Sequence, residues 1–276
     1  MPGALNENHG REIGRLAVVV GTCGYSSALV SKVAQLGVAH ELFSWVRHVE
    51  GRRYLNPFEL VECIKIFQEE GITHVINAGA VDSRLLLTHR PWLEFFDIPK
   101  TMKITRPRQF YLEYDAGLRG AGITAMSAGD FFDSYRPIVG AMGRIQLHPS
   151  DEAILPDLKQ QTMHYCSGES MFARIAQAVV FENGHCLAVE TSGTDKLLRS
   201  LQAKAKAQGA RRIVVKLLPD GFPPKLDSPT IGPHTILEAK RANIDVIAFD
   251  AMHGQIIDRD ETTSQADAYN IALVGI

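Results

Sequence analysis

Asp227 lies in the run Lys225-Leu226-Asp227-Ser228-Pro229-Thr230-Ile231-Gly232-Pro233, a setting that phosphoryl chemistry could use. Pro229 biases Ser228 towards extended backbone. Gly232 and Pro233 suit the start of a helix, because a proline in the first turn has no needed N–H to lose. The free N–H groups of a helix start favour a phosphate, and an acid fixed beside a phosphate is what metal-assisted attack on phosphorus requires. Thr230, Gly232 and the cation of Lys225 would then serve the anion, and Asp227 would hold a metal or orient water. Asp and Pro are also ordinary turn formers, and this stretch taken by itself reads first as a plain capped turn.

A second set of chemical residues lies upstream. Lys216 interrupts the apolar run Arg212-Ile213-Val214-Val215-Lys216-Leu217-Leu218, where it could offset the charge of a diphosphate. Glu190 ends the apolar run Cys186-Leu187-Ala188-Val189, and an acid at a buried strand end could support a metal. Gly193 and Thr194 could present backbone N–H groups to a phosphate, while Asp195 is read as a helix cap. Lys225 has a plainer reading as an exposed cation.

The elements that must position these residues alternate between strand and helix. In the first half, strands are expected over 16–20, 39–46 and 73–77, with helices over 26–33 and 58–70. That alternation implies a parallel sheet, whose ligands bind at the carboxyl ends of the strands. Gly21, Gly24 and Gly79 fall at those ends. Gly21 to Gly24 reads G-x-x-G, which serves either a phosphate or sugar contact or a tight strand-to-helix turn. A helix follows over 109–118 and a strand over 123–126. In the second half, a helix is expected over 152–173, with Pro156 as a candidate break within it. Asn183-Gly184 then marks a hairpin between 178–181 and 186–189. Near the end, strand 245–249 is expected to pair with 255–258 across a turn at His253-Gly254, Asp258-Arg259 to form a turn and cap, and 271–275 to close the sheet. The fold class is α/β in two domains: an N-terminal Rossmann-like parallel sheet over 14–148 and a C-terminal mixed α/β sheet over 149–276, after a flexible tail over 1–13.

Composition narrows the function. Hydrophobic residues make up 45% and charged residues 22%, as in ordinary globular proteins. A net charge of -2 gives no basic footprint for nucleic acid. Cys23, Cys63, Cys166 and Cys186 lack metal-ligand spacing and read as reduced thiols of a cytoplasmic protein. The polar start has no signal-peptide core, and no apolar run has the length of a membrane span.

Several of these motifs together resemble the LpxI-type UDP-2,3-diacylglucosamine pyrophosphatases. Asp227-Ser228-Pro229-Thr230-Ile231-Gly232 is similar to that family's D-L-P-T-I-G motif, Ala188-Val189-Glu190 with Gly193-Thr194-Asp195 to its A-V-E…G-T-D signature, and Ile256-Ile257-Asp258-Arg259 to its hairpin ending. Lys216 stands where the family has a lysine, and Gln177 where it has a glutamine. The resemblance extends over residues 176–276 and is thin before them. Arg106-Pro107-Arg108 replaces a family G-D-D element, Ala80 a polar residue, and Pro219 and Phe222 a lysine and a glutamine.

The resemblance implies hydrolysis of UDP-2,3-diacylglucosamine to UMP and lipid X in lipid A synthesis. It also implies magnesium dependence, a homodimer and peripheral contact with the inner membrane through the acylated substrate. Asp227 and Lys216 would be catalytic, with Asp227 and Glu190 serving the metal. Gly21, Gly24, Gly79, Gly193, Thr194, Lys225, Thr230 and Gly232 would serve the substrate. The departures raise an alternative: a non-catalytic relative that binds a nucleotide-sugar or an acylated ligand.

Overall fold

The computed structural model describes residues 13–21, 25–79, 107–167, 176–191 and 193–276. Expectations for the tail, for Gly24, Ala80 and Arg106, and for the end of the helix expected over 152–173 lie partly or wholly outside them. The chain forms two compact units. The first comprises 1–132 and 222–227; the second comprises 133–221 and 228–276.

The N-terminal unit contains β1 (Arg15–Val20), α1 (Tyr25–Gln35), β2 (His40–Ser44), β3 (Arg53–Tyr54), α2 (Leu60–Glu69), β4 (Ile72–Ala78), α3 (Pro107–Gly120), β5 (Thr124–Met126) and α4 (Ala128–Phe131). Its sheet has the order β3-β2-β1-β4-β5 and every pairing is parallel. The central strand β1 carries an unbroken apolar run, Leu16 to Val20, buried throughout, as expected where both faces are covered. Helix α2 buries Leu60, Cys63 and Phe67, one helical stripe. The ring of Trp45 meets Phe110 and Tyr114 of α3 edge-on, at centroid distances of 5.4 and 5.3 Å.

The C-terminal unit contains β6 (Gly140–Ala141), α5 (Pro149–Ser167), β7 (Ala178–Glu182), β8 (His185–Val189), α6 (Thr194–Leu201), β9 (Arg212–Lys216), β10 (Thr230–Ile231), α7 (Pro233–Arg241), β11 (Val246–Phe249), β12 (Gln255–Ile256), α8 (Arg259–Ala268) and β13 (Ala272–Gly275). Its main sheet runs β6-β13-β11-β9-β7-β8 and is mixed. β13, β11 and β9 are parallel, whereas β6, β7 and β8 join antiparallel. Strand alternation divides the core. Val180, Val214, Ile247 and Leu273 pack against α6, α7 and α8, and Val179, Val215, Ala248 and Val274 pack against α5. The β7–β8 hairpin turns at Asn183 (φ 50°) and Gly184 (φ 81°), the left-handed pair that Asn-Gly supplies. Among the described residues, no helix is long and apolar enough to cross a membrane.

Two local expectations are corrected. Strand β11 does not pair with β12. It lies between β9 and β13, and β12 pairs in parallel with β10. The cause is Asp250, whose carboxylate accepts from Met252 N at 2.9 Å and His253 N at 2.8 Å and turns the chain away from the strand. Gly254 is required in that turn, since a Cβ there would lie 2.3 Å from the Asp250 carbonyl oxygen. Helix α5 also does not break at Pro156; it continues to Ser167 with this proline exposed. The ring therefore faces solvent, and the continuing helix is held by Leu155, Leu158 and Cys166 in the core.

Candidate functional site

In the C-terminal unit, strand alternation decides where Lys216 points. Val214 packs towards α6, so Lys216, two residues on at the strand's carboxyl end, faces the same side. Its ammonium is buried, with the residue only 5% exposed, and donates to Thr194 Oγ1 at 2.7 Å and to Gln177 Oε1 at 3.3 Å. Thr194 is the first residue of α6, preceded by Gly193 with φ 104° and ψ 141°. A side chain rarely adopts that conformation, so glycine is needed to aim the helix start.

Glu190 is also buried. Its N–H donates to the Ala178 carbonyl at 2.9 Å and its carboxylate accepts from Gln177 N at 3.0 Å. Gln177 therefore joins both charges: its backbone N–H holds Glu190 and its side-chain carbonyl holds Lys216. Both also act on Cys166. Burial pushes that thiol up to about 12; the Glu190 carboxylate adds to the rise and the Lys216 ammonium opposes it.

Asp195 corrects its expectation as a cap, since α6 has no side-chain cap hydrogen bond. Instead it ties α6 to α7. His234 Nδ1 donates to one carboxylate oxygen at 2.8 Å and Thr235 Oγ1 to the other at 3.0 Å. His234 and Thr235 lie in the first turn of α7, after Gly232 as its N-cap and Pro233 as its first residue. Two helix starts, each a place that favours an anion, thus share one carboxylate. Gly232 also lets the chain pass Ile257, whose side chain would lie 3.2 Å from a Cβ there. Thr230 turns its hydroxyl to the Ser228 carbonyl at 3.0 Å. Asp258 occupies the N-cap position of α8 in left-handed backbone, with no side-chain cap bond.

The remaining expected residues belong to the N-terminal unit. Gly21 and Gly79 follow the adjacent parallel strands β1 and β4, and Gly21 N donates to the Ala78 carbonyl at 2.9 Å. Gly79 has φ 100°. Lys225 and Asp227 lie in the segment 222–227, which groups with this unit. The Lys225 ammonium donates to both carboxylate oxygens of Asp130, at 2.6 and 2.8 Å. Burial alone would raise the Asp130 carboxyl, but Lys225 and the Ser127 N–H and hydroxyl outweigh it and hold it below its ordinary value. The half-buried Asp227 closes a turn through its N–H to the Pro223 carbonyl at 3.3 Å.

Three contributors were not singled out as site residues. The sequence marks Gln177 only through its resemblance to a family glutamine. Asp250, buried beside Lys216 at the sheet's carboxyl end, accepts from Leu218 N at 3.0 Å as well as from its own turn. Its signal was an acid directly after the apolar run Val246 to Phe249. Asn77 was visible as a polar residue inside an apolar strand.

Among the described residues, no three His, Cys, Asp or Glu side chains gather as a metal site. The donors on hand are separate carboxylates, and Glu190 has one oxygen already engaged. Such donors suit magnesium, which takes few protein oxygens and completes its shell with phosphate and water.

No curated protein matches the chain. Residues 166–274, which carry Glu190, Gly193, Thr194, Lys216 and Asp227, match the LpxI C-terminal domain, so this part of the chain is similar to that of the LpxI family.

Proposed function

We propose that this protein hydrolyses the pyrophosphate bond of UDP-2,3-diacylglucosamine, releasing UMP and 2,3-diacylglucosamine 1-phosphate. The LpxI domain supports a role related to lipid A biosynthesis. The observation that carries the finer reading is the buried Lys216 ammonium at the first residue of α6, within the matched span. A buried cation beside a helix start is suited to a diphosphate.

In this reading, water adds to one phosphorus, the bridging P–O bond breaks, and the bridging oxygen leaves on the other phosphate. Lys216 offsets the charge that builds on the diphosphate oxygens. Gly193 and the N–H groups that open α6 orient the same oxygens, and Thr194 holds Lys216 in place. The Glu190 carboxylate offsets the buried positive charge, and Gln177 holds both groups by hydrogen bonds. Asp227 is the acid assigned to the attacking water and to magnesium. When bound, magnesium would neutralise phosphate charge and lower the barrier to attack. Cytoplasmic location, peripheral contact with the inner membrane through the acyl chains, and a homodimer belong to the same proposal.

The test is incubation of pure protein with magnesium and UDP-2,3-diacylglucosamine, following UMP. Release of UMP with the acylated sugar phosphate is expected. Tight binding without release would overturn the hydrolytic reading in favour of a binding protein.

A further inference from the structure

The segment that carries Asp227 is gripped on the two residues before it. Asn77, in β4 and only 8% exposed, donates from Nδ2 to the Leu226 carbonyl at 3.1 Å. A carbonyl only accepts, so the amide nitrogen must face Leu226 and Oδ1 must point elsewhere. Oδ1 is buried without a hydrogen-bond partner among the described residues. Lys225 is held by Asp130, and Asp130 is fixed in turn by Ser127, whose N–H and hydroxyl reach its Oδ2 at 2.8 and 3.0 Å. Leu226 itself is buried, and the N–H groups of Leu226 and Asp227 both turn to the Pro223 carbonyl, at 3.1 and 3.3 Å.

The neighbours of Asn77 make this bond informative. β4 reads Ile72-Thr73-His74-Val75-Ile76-Asn77-Ala78, and Val75, Ile76 and Ala78 are fully buried. A valine or isoleucine would satisfy that environment with no stranded acceptor. Burying an amide with half its capacity unmet has a cost in desolvation. The one return visible among the described residues is the bond to Leu226.

We infer that Asn77 is a positioning residue for Asp227: its amide fixes the preceding carbonyl and thereby the direction in which the acid leaves the loop. This rests on the catalytic reading of Asp227 above. Aiming an acid at a reacting phosphorus tolerates little displacement, so loosening the grip should reduce turnover and leave substrate affinity alone.

The test is Asn77→Leu, which keeps the volume and removes the donor, with Asp130→Asn as a second variant that loosens the grip on Lys225 from outside the strand. UMP release from UDP-2,3-diacylglucosamine with magnesium gives kcat and KM, and hydrogen exchange of peptides covering 222–228 reports the loop directly. For Asn77→Leu, kcat should fall about tenfold to a hundredfold with KM within about twofold. Exchange in 222–228 should accelerate while peptides of β1 keep wild-type rates. If Asn77→Leu does not fold, Asp130→Asn should show the same pattern more weakly. Unchanged exchange in the loop, or a raised KM with kcat intact, overturns the inference. Should wild-type protein release no UMP, the pyrophosphatase reading fails separately, and the exchange measurement alone decides whether Asn77 holds the loop.

Discussion

The ammonium of Lys216 donates to the hydroxyl of Thr194 across 2.7 Å, joining the end of a core strand to the first residue of a helix. The pair is buried, so the cation lies out of water beside the N–H groups of a helix start. A cation so placed would act on nearby negative charge more strongly than a solvated lysine, as the proposed reaction requires.

Replacing Lys216 with Met tests this directly. Removing a donor aimed at developing charge should lower kcat/KM by on the order of a hundredfold to a thousandfold. The cost in stability should be about 3–5 kcal/mol, because Thr194 and Gln177 lose their donor and the buried Glu190 carboxylate loses a nearby cation. Steady-state kinetics and a denaturant midpoint measure the two. Wild-type activity in this variant would make Lys216 a structural residue.

Asp227→Ala should abolish turnover with the fold preserved. The loop is shaped by the Pro223 turn and by the bonds of Asn77 and Lys225. Loss of the side chain should therefore cost about 1 kcal/mol or less, against several kcal/mol of transition-state stabilisation. Turnover, affinity and melting temperature for the two proteins decide it. Binding should be kept or tighten, since a negative charge is gone. A variant that unfolds, or one that still turns over, defeats the assignment.

Excess chelator should abolish UMP release, and added magnesium or manganese should restore it. A carboxylate such as that proposed for Asp227 would serve a hard cation that also draws on phosphate oxygens. Full activity in chelator would rule out a metal step.

The thiols give a pH test that is independent of activity. Burial is the main cause that pushes Cys63 and Cys166 up to about 12, from an ordinary value of 9.0. At pH 8 neither should react with a thiol reagent in the folded protein, and both should react once it is unfolded. Since both values are raised, the unfolded chain loses these protons first as pH rises. Their contribution to stability is thus complete below pH 9 and is lost between pH 9 and 12. Mass spectrometry of alkylated peptides and melting temperatures across that range would check both parts.

Much of the fold was legible because its signals are local. The apolar run of β1, the stripe of α2 and the Asn183-Gly184 turn each act within a few residues, and each formed as read. The pairing of β11 was not legible. Its apolar residues fit a hairpin or a central parallel strand equally well, and the choice falls to Asp250, which captures two backbone N–H groups and redirects the chain. Asp195 was misread for a similar reason. An acid at a helix start resembles a cap until a second helix brings His234 and Thr235 to it.

By itself the sequence determined the α/β class, the chemical character of the residues from Glu190 to Pro233, and the likeness to the LpxI family. Residue type and spacing along one chain are enough for all three. Tertiary structure alone decided who meets whom. Gln177 holds Glu190 and Lys216 together, although it lies 39 positions from Lys216. Asn77 reaches Leu226 across 149 positions, and Asp227 therefore stands on a loop of the N-terminal unit although its motif belongs to the LpxI-matched span. A hydrogen bond depends on distance in space, and sheet packing sets that distance without leaving any regular spacing in the sequence.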